Sequence, residues 1–320
     1  MKTALLGRTG MRVSRLCMGT MSFGREADEA ESARIYAACR EAGIDFFDCA
    51  NIYADGRSEE ILGRLIATER DRIVLTSKVG MERAGLAAGG LGRRHIRESV
   101  ETSLRRLGTD RLDVLFVHRF DPETPVDETL RTLDDLVSAG KVHHLGASNW
   151  AAWQIARALG QSERRGWARI DVLQPMYSLV KRQAEVEILP LAEAEGLGVI
   201  PYSPVGGGLL SGKYRDPAAA GRIRANESYV RRYGEEWMFD TAARFADFAE
   251  GHGWHPVSLA LAWVAGHPAV TAPIIGARDV AQLRPALAAL DIPMSAELRE
   301  EIGRLSRRPP PATDRLEEQA

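Results

Sequence analysis

The sequence predicts an α/β chain folded as one (β/α)8 barrel, the TIM-barrel architecture, with an N-terminal β-hairpin and a long loop after the seventh strand. Three observations carry this reading. Short apolar runs of strand length recur eight times along the chain. They are continuously apolar, as parallel strands covered on both faces are. Longer amphipathic stretches separate them, and eight such repeats close a parallel sheet on itself.

Taken in order, ALLGRTGMRVS forms two short segments around a glycine turn, the hairpin. Strand candidates follow at RLCMG near 15, IDFFD near 44, RIVLTSKV near 72 and RLDVLFVH near 111. The next four are VHHLGAS near 142, IDVLQ near 170, GVIPYS near 198 and TAPIIG near 271. Between them, DEAESARIYAACREAG starts acidic, keeps helical spacing and closes on Gly43. SEEILGRLIATER is expected to start at Ser58 as N-cap, with acidic residues in its first turn. RRHIRESVETSLRRLG, VDETLRTLDDLVSAG and QAEVEILPLAEAEG follow the same plan, and Pro190 in the last predicts a kink or break there. The segment 204–235 is rich in Gly, Arg and Tyr, and its length marks it as a functional loop whose aromatics cover a ligand. Residues 1–306 read as a single domain. Residues 307–320, RRPPPATDRLEEQA, are proline-rich and then charged, and are expected to be disordered.

Composition narrows the function classes. The chain is 45% hydrophobic and 27% charged, ordinary for a globular protein with a large core. A net charge of -2 gives no reason to expect nucleic acid or an anionic membrane as partner. Cys17, Cys39 and Cys49 are widely spaced, with no CxxC or Cys/His cluster. They read as reduced thiols of a cytoplasmic protein, not as a disulfide framework or zinc site. The N-terminus lacks the apolar core of a signal peptide, and the longest apolar run falls short of the roughly 18 residues of a membrane span.

In such a barrel the chemistry sits at the C-terminal ends of the strands. Those ends carry Asp48 with Tyr53 five residues on, Ser77 and Lys78, His118, and Ser148 with Asn149. They continue with Gln174, Tyr202 with Ser203, and Gly276, Ala277 and Arg278. Each alone reads as a cap, a solvated charge or a packed side chain. Together they converge on one mouth. A lysine in that packed setting is costly unless paired, and Asp48, one strand away, is its natural partner.

At these residues the chain resembles a family. DCANIY, LTSKVG, DVLFVHRFD, GASNW, LQPMYSL, PYSPVGGGLLSGKY and PIIGARDVAQL are similar, in order and spacing, to the successive signatures of the aldo-keto reductases. The likeness runs from about residue 2 to 290 and includes the branch that contains potassium-channel β-subunits. It implies a catalytic tetrad at Asp48, Tyr53, Lys78 and His118, and NADPH-dependent reduction of an aldehyde or ketone with Tyr53 as general acid. The chemistry suits these groups. Charge built on the carbonyl oxygen must be stabilised and protonated. A free tyrosine has a pKa of about 10, and the Lys78 ammonium is expected to lower it. Asp48 would hold Lys78 charged, and neutral His118 would orient the carbonyl. No metal is required.

The cofactor reading also comes from the resemblance, since no GxGxxG follows the first strand. GGLLSGKY nearly matches a P-loop, but Tyr214 stands where Ser or Thr would bind Mg2+. The family pattern instead assigns Ser148, Asn149 and Gln174 to the nicotinamide carboxamide and Tyr202 to stacking on its ring. Ser203, Lys213 and Arg222 fall near the pyrophosphate, with Leu209 a further contact and Gly19, Thr20 and Met21 a backbone-lined floor. Gly276, Arg278 and Gln282 fall on the adenosine side, where Arg278 suits a 2′-phosphate and favours NADPH over NADH. Two positions depart from the pattern. Pro285 and Ala286 replace a common Glu-Asn pair on the adenine side, and Cys49 replaces a small hydroxyl residue. Cys49 reads as packing, with oxidative inactivation as the alternative.

Phe23 and Trp150 are candidates for the substrate pocket, with Tyr229, Tyr233 and Trp237 from the long loop. Two other functions stay open: the same chemistry in reverse as an aldose or alcohol dehydrogenase using NAD(P)+, and a non-catalytic, cofactor-binding regulatory subunit.

Overall fold

The computed structural model describes residues 1–320 except 82–89, 217, 314, 319 and 320. An antiparallel hairpin of β1 (Thr3–Leu5) and β2 (Arg12–Ser14) opens the chain. Then come β3 (Cys17–Gly19), α1 (Glu29–Glu41), β4 (Phe46–Asp48), α2 (Arg57–Ile66) and β5 (Val74–Val79). They are followed by α3 (Arg93–Leu107), β6 (Leu112–Val117), α4 (Val126–Ser138), β7 (Val142–Ser148) and α5 (Ala152–Arg165). Next are β8 (Ile170–Gln174), α6 (Ile188–Glu195), β9 (Gly198–Val199), α7 (Arg222–Ala225) and α8 (Glu227–Tyr233). The chain finishes through α9 (Glu236–Gly251), α10 (Pro256–Ala265), β10 (Ile274–Ile275), α11 (Val280–Leu287) and α12 (Ala296–Gly303).

Strands β3 to β10 form one parallel sheet in the order β10-β3-β4-β5-β6-β7-β8-β9. The sheet curls until its last members meet: Ile274 N donates to Pro201 O at 2.9 Å, and Thr271 N to Val199 O at 2.9 Å. The closing strands β9 and β10 are only two residues each. GVIPYS and TAPIIG carry Pro201 and Pro273, which accept ladder bonds but donate none.

Side chains alternate between barrel interior and helix layer, the period-2 rule of strands. The interior holds Cys17, Phe46, Val114, Phe116, Val172, Ile200 and Ala272, and the hairpin residues Leu6 and Val13 join that cluster and plug the barrel floor. Gly146 makes room for it, because a Cβ there would lie 2.4 Å from the Phe116 ring. Residues of the opposite parity, such as Phe47, Leu75, Leu115 and Leu145, meet the helices in the outer core.

Three local expectations are corrected. Ser58 is not the N-cap of α2. Ala54 and Asp55 take left-handed φ of 49° and 56°, Gly56 takes the cap position, and Ser58 is buried in the first turn. Its hydroxyl is diverted to tie α2 to the first barrel strand, donating to Thr20 O at 2.7 Å. The break expected at Pro190 falls earlier: a 3-10 turn at Gln183–Glu185 ends, Glu187 leaves helical geometry, and α6 starts at Ile188. Pro190 then sits in the first turn, where no donor is needed. The segment 204–235 is not a plain loop. It carries 3-10 turns at Gly206–Ser211 and Lys213–Arg215 and then α7 and α8.

The described residues after 306 are mainly exposed and form no helix or strand before a 3-10 turn at Leu316–Glu318. The Arg307 guanidinium lies 5.0 Å from the Trp237 ring. Among the described residues no helix is long and apolar enough to cross a membrane.

Candidate active site

The polar mouth is the upward continuation of the interior face. Two residues past interior Phe46 comes Asp48; two past Thr76 comes Lys78; two past Phe116 comes His118; two past Val172 comes Gln174. Parity turns each into the barrel, and a polar layer closes over an apolar one.

Asp48 and Lys78 form a buried pair, Nζ to Oδ2 2.5 Å, with the lysine side chain fully shielded. The ammonium has three hydrogens to place. One goes to Asp48, one to the Cys49 carbonyl at 2.7 Å, and the third faces the Tyr53 hydroxyl at 3.4 Å. Burial alone would push the Lys78 pKa down, but Asp48 and the Tyr53 oxygen more than offset it, so the net direction is upward and the amine stays charged. The second Asp48 oxygen is also occupied: Oδ1 accepts from Thr76 Oγ1 at 2.6 Å and from Gln174 Nε2 at 3.0 Å.

Tyr53 begins the turn after β4 and is half-buried. Here the expected direction of shift is reversed. Desolvation is the largest influence and raises its pKa; Lys78 pulls down, Asp48 pushes up, and the phenol stands at about 12. Lys78 therefore does not make a phenolate at rest. His118 is 7% exposed and its ring centroid lies 6.2 Å from that of Tyr53, edge to face. Burial first, then the charges of Lys78 and Arg119, depress it to about 3, so the imidazole is neutral near pH 7. Its Nδ1 is buried without a partner among the described residues.

On the next strands Ser148, Asn149, Gln174 and Tyr202 form a connected polar plate. Ser148 Oγ donates to Gln174 O at 2.9 Å, and Asn149 Nδ2 donates to His118 O at 2.9 Å. Tyr202 donates to Asn149 Oδ1 at 2.7 Å, and this leaves its ring half-exposed. Asn149 and Ser203 hold left-handed φ of 58° and 57°, rare for non-glycine residues. With Ala54 and Asp55 they make up the left-handed non-glycine backbone among the described residues, all of it in turns that follow barrel strands, where such strain usually marks function. A planar amide ligand fits this plate. Gln174 spends Nε2 on Asp48 but keeps Oε1 without a protein donor among the described residues, and a half-exposed aromatic face stands beside it.

The other expected cofactor residues are distributed around the same mouth. Gly19 and Thr20 are buried at the end of β3, where Thr20 N donates to Asp48 O at 2.9 Å, and Met21 is exposed. Leu209 is buried in the 3-10 turn after β9. Lys213 is exposed over the Tyr214 ring at 4.7 Å. Arg222 already has partners, Glu26 at 3.3 Å and the Tyr229 hydroxyl at 3.2 Å. Gly276 and Arg278 are exposed after β10, and the Arg278 guanidinium has no partner among the described residues. Gln282 spends Oε1 on the Arg278 backbone N at 3.0 Å. Pro285 and Ala286 turn inward: the proline carbonyl accepts from Ser258 Oγ at 2.6 Å and Ala286 is buried.

The expected pocket wall is altered. Phe23 is 0% exposed within the core, which removes it from an open wall. Trp150 is 4% exposed and meets Phe120 edge to face at 5.1 Å. Tyr233 is buried, Tyr229 lies 6.1 Å from it, and both close on Gly207. Trp237 donates to Glu235 at 2.8 Å. Cys49 is buried with its thiol pushed up to about 12, first by burial, which makes it a packing residue and a poor nucleophile. Sequence reading missed Thr76. The signal was its position two residues before Lys78, hence on the same face.

The model of the Aldo/keto reductase family matches residues 15–307. The chain is 38% identical over 310 residues to "Uncharacterized oxidoreductase YrpG" of Bacillus subtilis, covering 93% of this chain and 94% of that protein. It is 36% identical to "Probable voltage-gated potassium channel subunit beta" of Arabidopsis thaliana, over 90% of each. It is 32% identical to "Versiconal hemiacetal acetate reductase" of Aspergillus parasiticus, over 93% of this chain and 94% of that one.

Proposed function

The chain belongs to the Aldo/keto reductase family, an NAD(P)H-dependent oxidoreductase acting on carbonyl compounds, and we propose that it reduces an aldehyde or ketone with NADPH, Tyr53 giving the proton. The observation that carries this reading is the Lys78 ammonium, fixed by Asp48 at 2.5 Å and facing the Tyr53 hydroxyl at 3.4 Å.

When bound, the reduced nicotinamide supplies a hydride to the carbonyl carbon. Ser148, Asn149 and Gln174 would hold its carboxamide, Tyr202 its ring, and Ser203, Lys213 and Arg278 its phosphates. Neutral His118 orients the carbonyl oxygen toward Tyr53. As charge grows on that oxygen, the Tyr53 hydrogen passes to it. A phenol with a raised pKa stays protonated until then, and the phenolate left behind is balanced by Lys78. Asp48 keeps that cation in place, with both its oxygens engaged. Alcohol oxidation with NAD(P)+ is the same path reversed, with Tyr53 phenolate taking the proton.

The likeness to proteins named as potassium-channel β-subunits favours a second reading, a cofactor-binding regulatory subunit. Steady-state turnover against an aldehyde panel with NADPH and NADH tests the proposal. Reduction with NADPH is expected; tight NADPH binding with no turnover of any member would favour the regulatory reading.

A further inference from the structure

Beside the Tyr229 and Tyr233 rings two cations stand without an ion-pair partner among the described residues. Arg232, on α8, is half-buried and lies 5.5 Å over the Tyr229 ring. Lys181, in the β8–α6 connection, is half-buried and lies 5.8 Å over the Tyr233 ring. Neither has an acidic partner among the described residues. The Glu235 charge acts on Lys181, but Glu235 accepts from Trp237 Nε1 at 2.8 Å and forms no ion pair with the lysine. The chain does supply counter-ions to other cations of the same segment: Arg222 has Glu26, Arg215 has Asp247 and Glu250, and Arg231 has Glu227.

Burial lowers the Lys181 pKa; the Glu235 charge opposes that and the Arg232 charge adds to it, so the two cations sit within each other's field. The Tyr233 hydroxyl donates to Met176 Sδ at 3.7 Å, and Met176 is the bridge partner of Tyr202, so the rings beneath the two cations adjoin the mouth. Burial raises the Tyr202 phenol on balance, and the charge of Arg232 opposes it. A third cation, Arg119, directly follows His118, is exposed, and again lacks an acidic partner among the described residues. Desolvated like charges are costly unless an anion joins them.

We infer that Arg232 and Lys181 form an anion subsite that takes a carboxylate or phosphate carried by the substrate itself. This rests on the carbonyl-reducing reading of the site. The cofactor's phosphates have separate candidates, Lys213 after β9 and Arg278 after β10, whereas Lys181 follows β8. The substrate class is therefore an acidic aldehyde or ketone, its carbonyl at Tyr53 and His118 and its anion toward these cations.

The test compares 4-carboxybenzaldehyde with benzaldehyde in wild type, Arg232→Met and Lys181→Met, with cofactor Kd measured alongside. Wild type is expected to prefer the acid by about tenfold or more in kcat/KM, the scale of one charge-assisted hydrogen bond. Each variant should bring that ratio toward one through KM. Equal kcat/KM for the two aldehydes in wild type overturns the inference. So do variants that keep the ratio and lose cofactor affinity, since the cations would then serve the cofactor. If neither aldehyde turns over, the functional reading fails separately, and fluorescence titration of cofactor-loaded protein decides the subsite. Tighter binding of 4-(hydroxymethyl)benzoate than of benzyl alcohol, lost in both variants, supports it; equal binding overturns it.

Discussion

Thr76 donates its hydroxyl to Asp48 Oδ1 at 2.6 Å, across the β4–β5 pair in which the two residues are register partners. That bond leaves Oδ2 for Lys78 and fixes the carboxylate plane. Thr76→Val keeps the shape and removes the donor. A lost buried hydrogen bond costs about 1–2 kcal/mol, so kcat should fall roughly five- to thirtyfold with little change in KM. Thr76→Ser should restore most of it. Equal loss in the serine variant would mean that the threonine methyl, not the hydroxyl, matters.

Asp48→Asn leaves Lys78 buried with no counter-ion. Breaking such a pair typically costs about 3–5 kcal/mol. Urea denaturation should show that loss, and adding Lys78→Met should recover part of it by removing the stranded charge. If the double variant is as unstable as the sum of the two single variants, the pair is not coupled as the geometry states.

Two histidines set a pH window for stability. His118 is depressed to about 3 and His267 to about 4, in both cases chiefly by burial. Below the ordinary histidine value of about 6.5, the unfolded chain therefore binds more protons than the folded one. Stability is full above that value and falls as pH drops toward the folded values, with a slope of at most about 1.4 kcal/mol per unit for each histidine. Tm measured from pH 7 to 4 should fall less steeply in His118→Gln than in wild type. Parallel curves would show that His118 is not held neutral by burial.

Arg278 has no partner for its guanidinium among the described residues and follows the last barrel strand. Arg278→Ala should weaken NADPH binding about tenfold or more, the worth of a charge-assisted pair, and leave NADH nearly unchanged. Equal wild-type affinity for the two cofactors in fluorescence titration would contradict the NADPH preference.

Much of the fold was legible because it depends on pattern. Continuous apolar runs marked the strands, and the polar residues closing them marked the mouth. What escaped depends on contacts between distant segments. Ser58 reads as a cap until the left-handed turn at Ala54–Gly56 shifts the helix start, and the hydroxyl then finds Thr20. The sign of the Tyr53 shift could not be read from Lys78 alone, since desolvation and Asp48 outweigh the ammonium. Phe23 reads as a wall residue from its place after β3 but is swallowed by the core. Arg232 and Lys181 belong to segments about fifty residues apart, and the Tyr229–Tyr233 pair between them brings them together.

The most direct test of the central claim is Tyr53→Phe, assayed for aldehyde reduction and for NADPH affinity on the same preparation. Loss of the general acid should lower kcat by about a hundred- to ten-thousandfold, with the NADPH Kd within about twofold of wild type. A Tyr53→Phe protein with near-normal kcat would show that the proton comes from elsewhere.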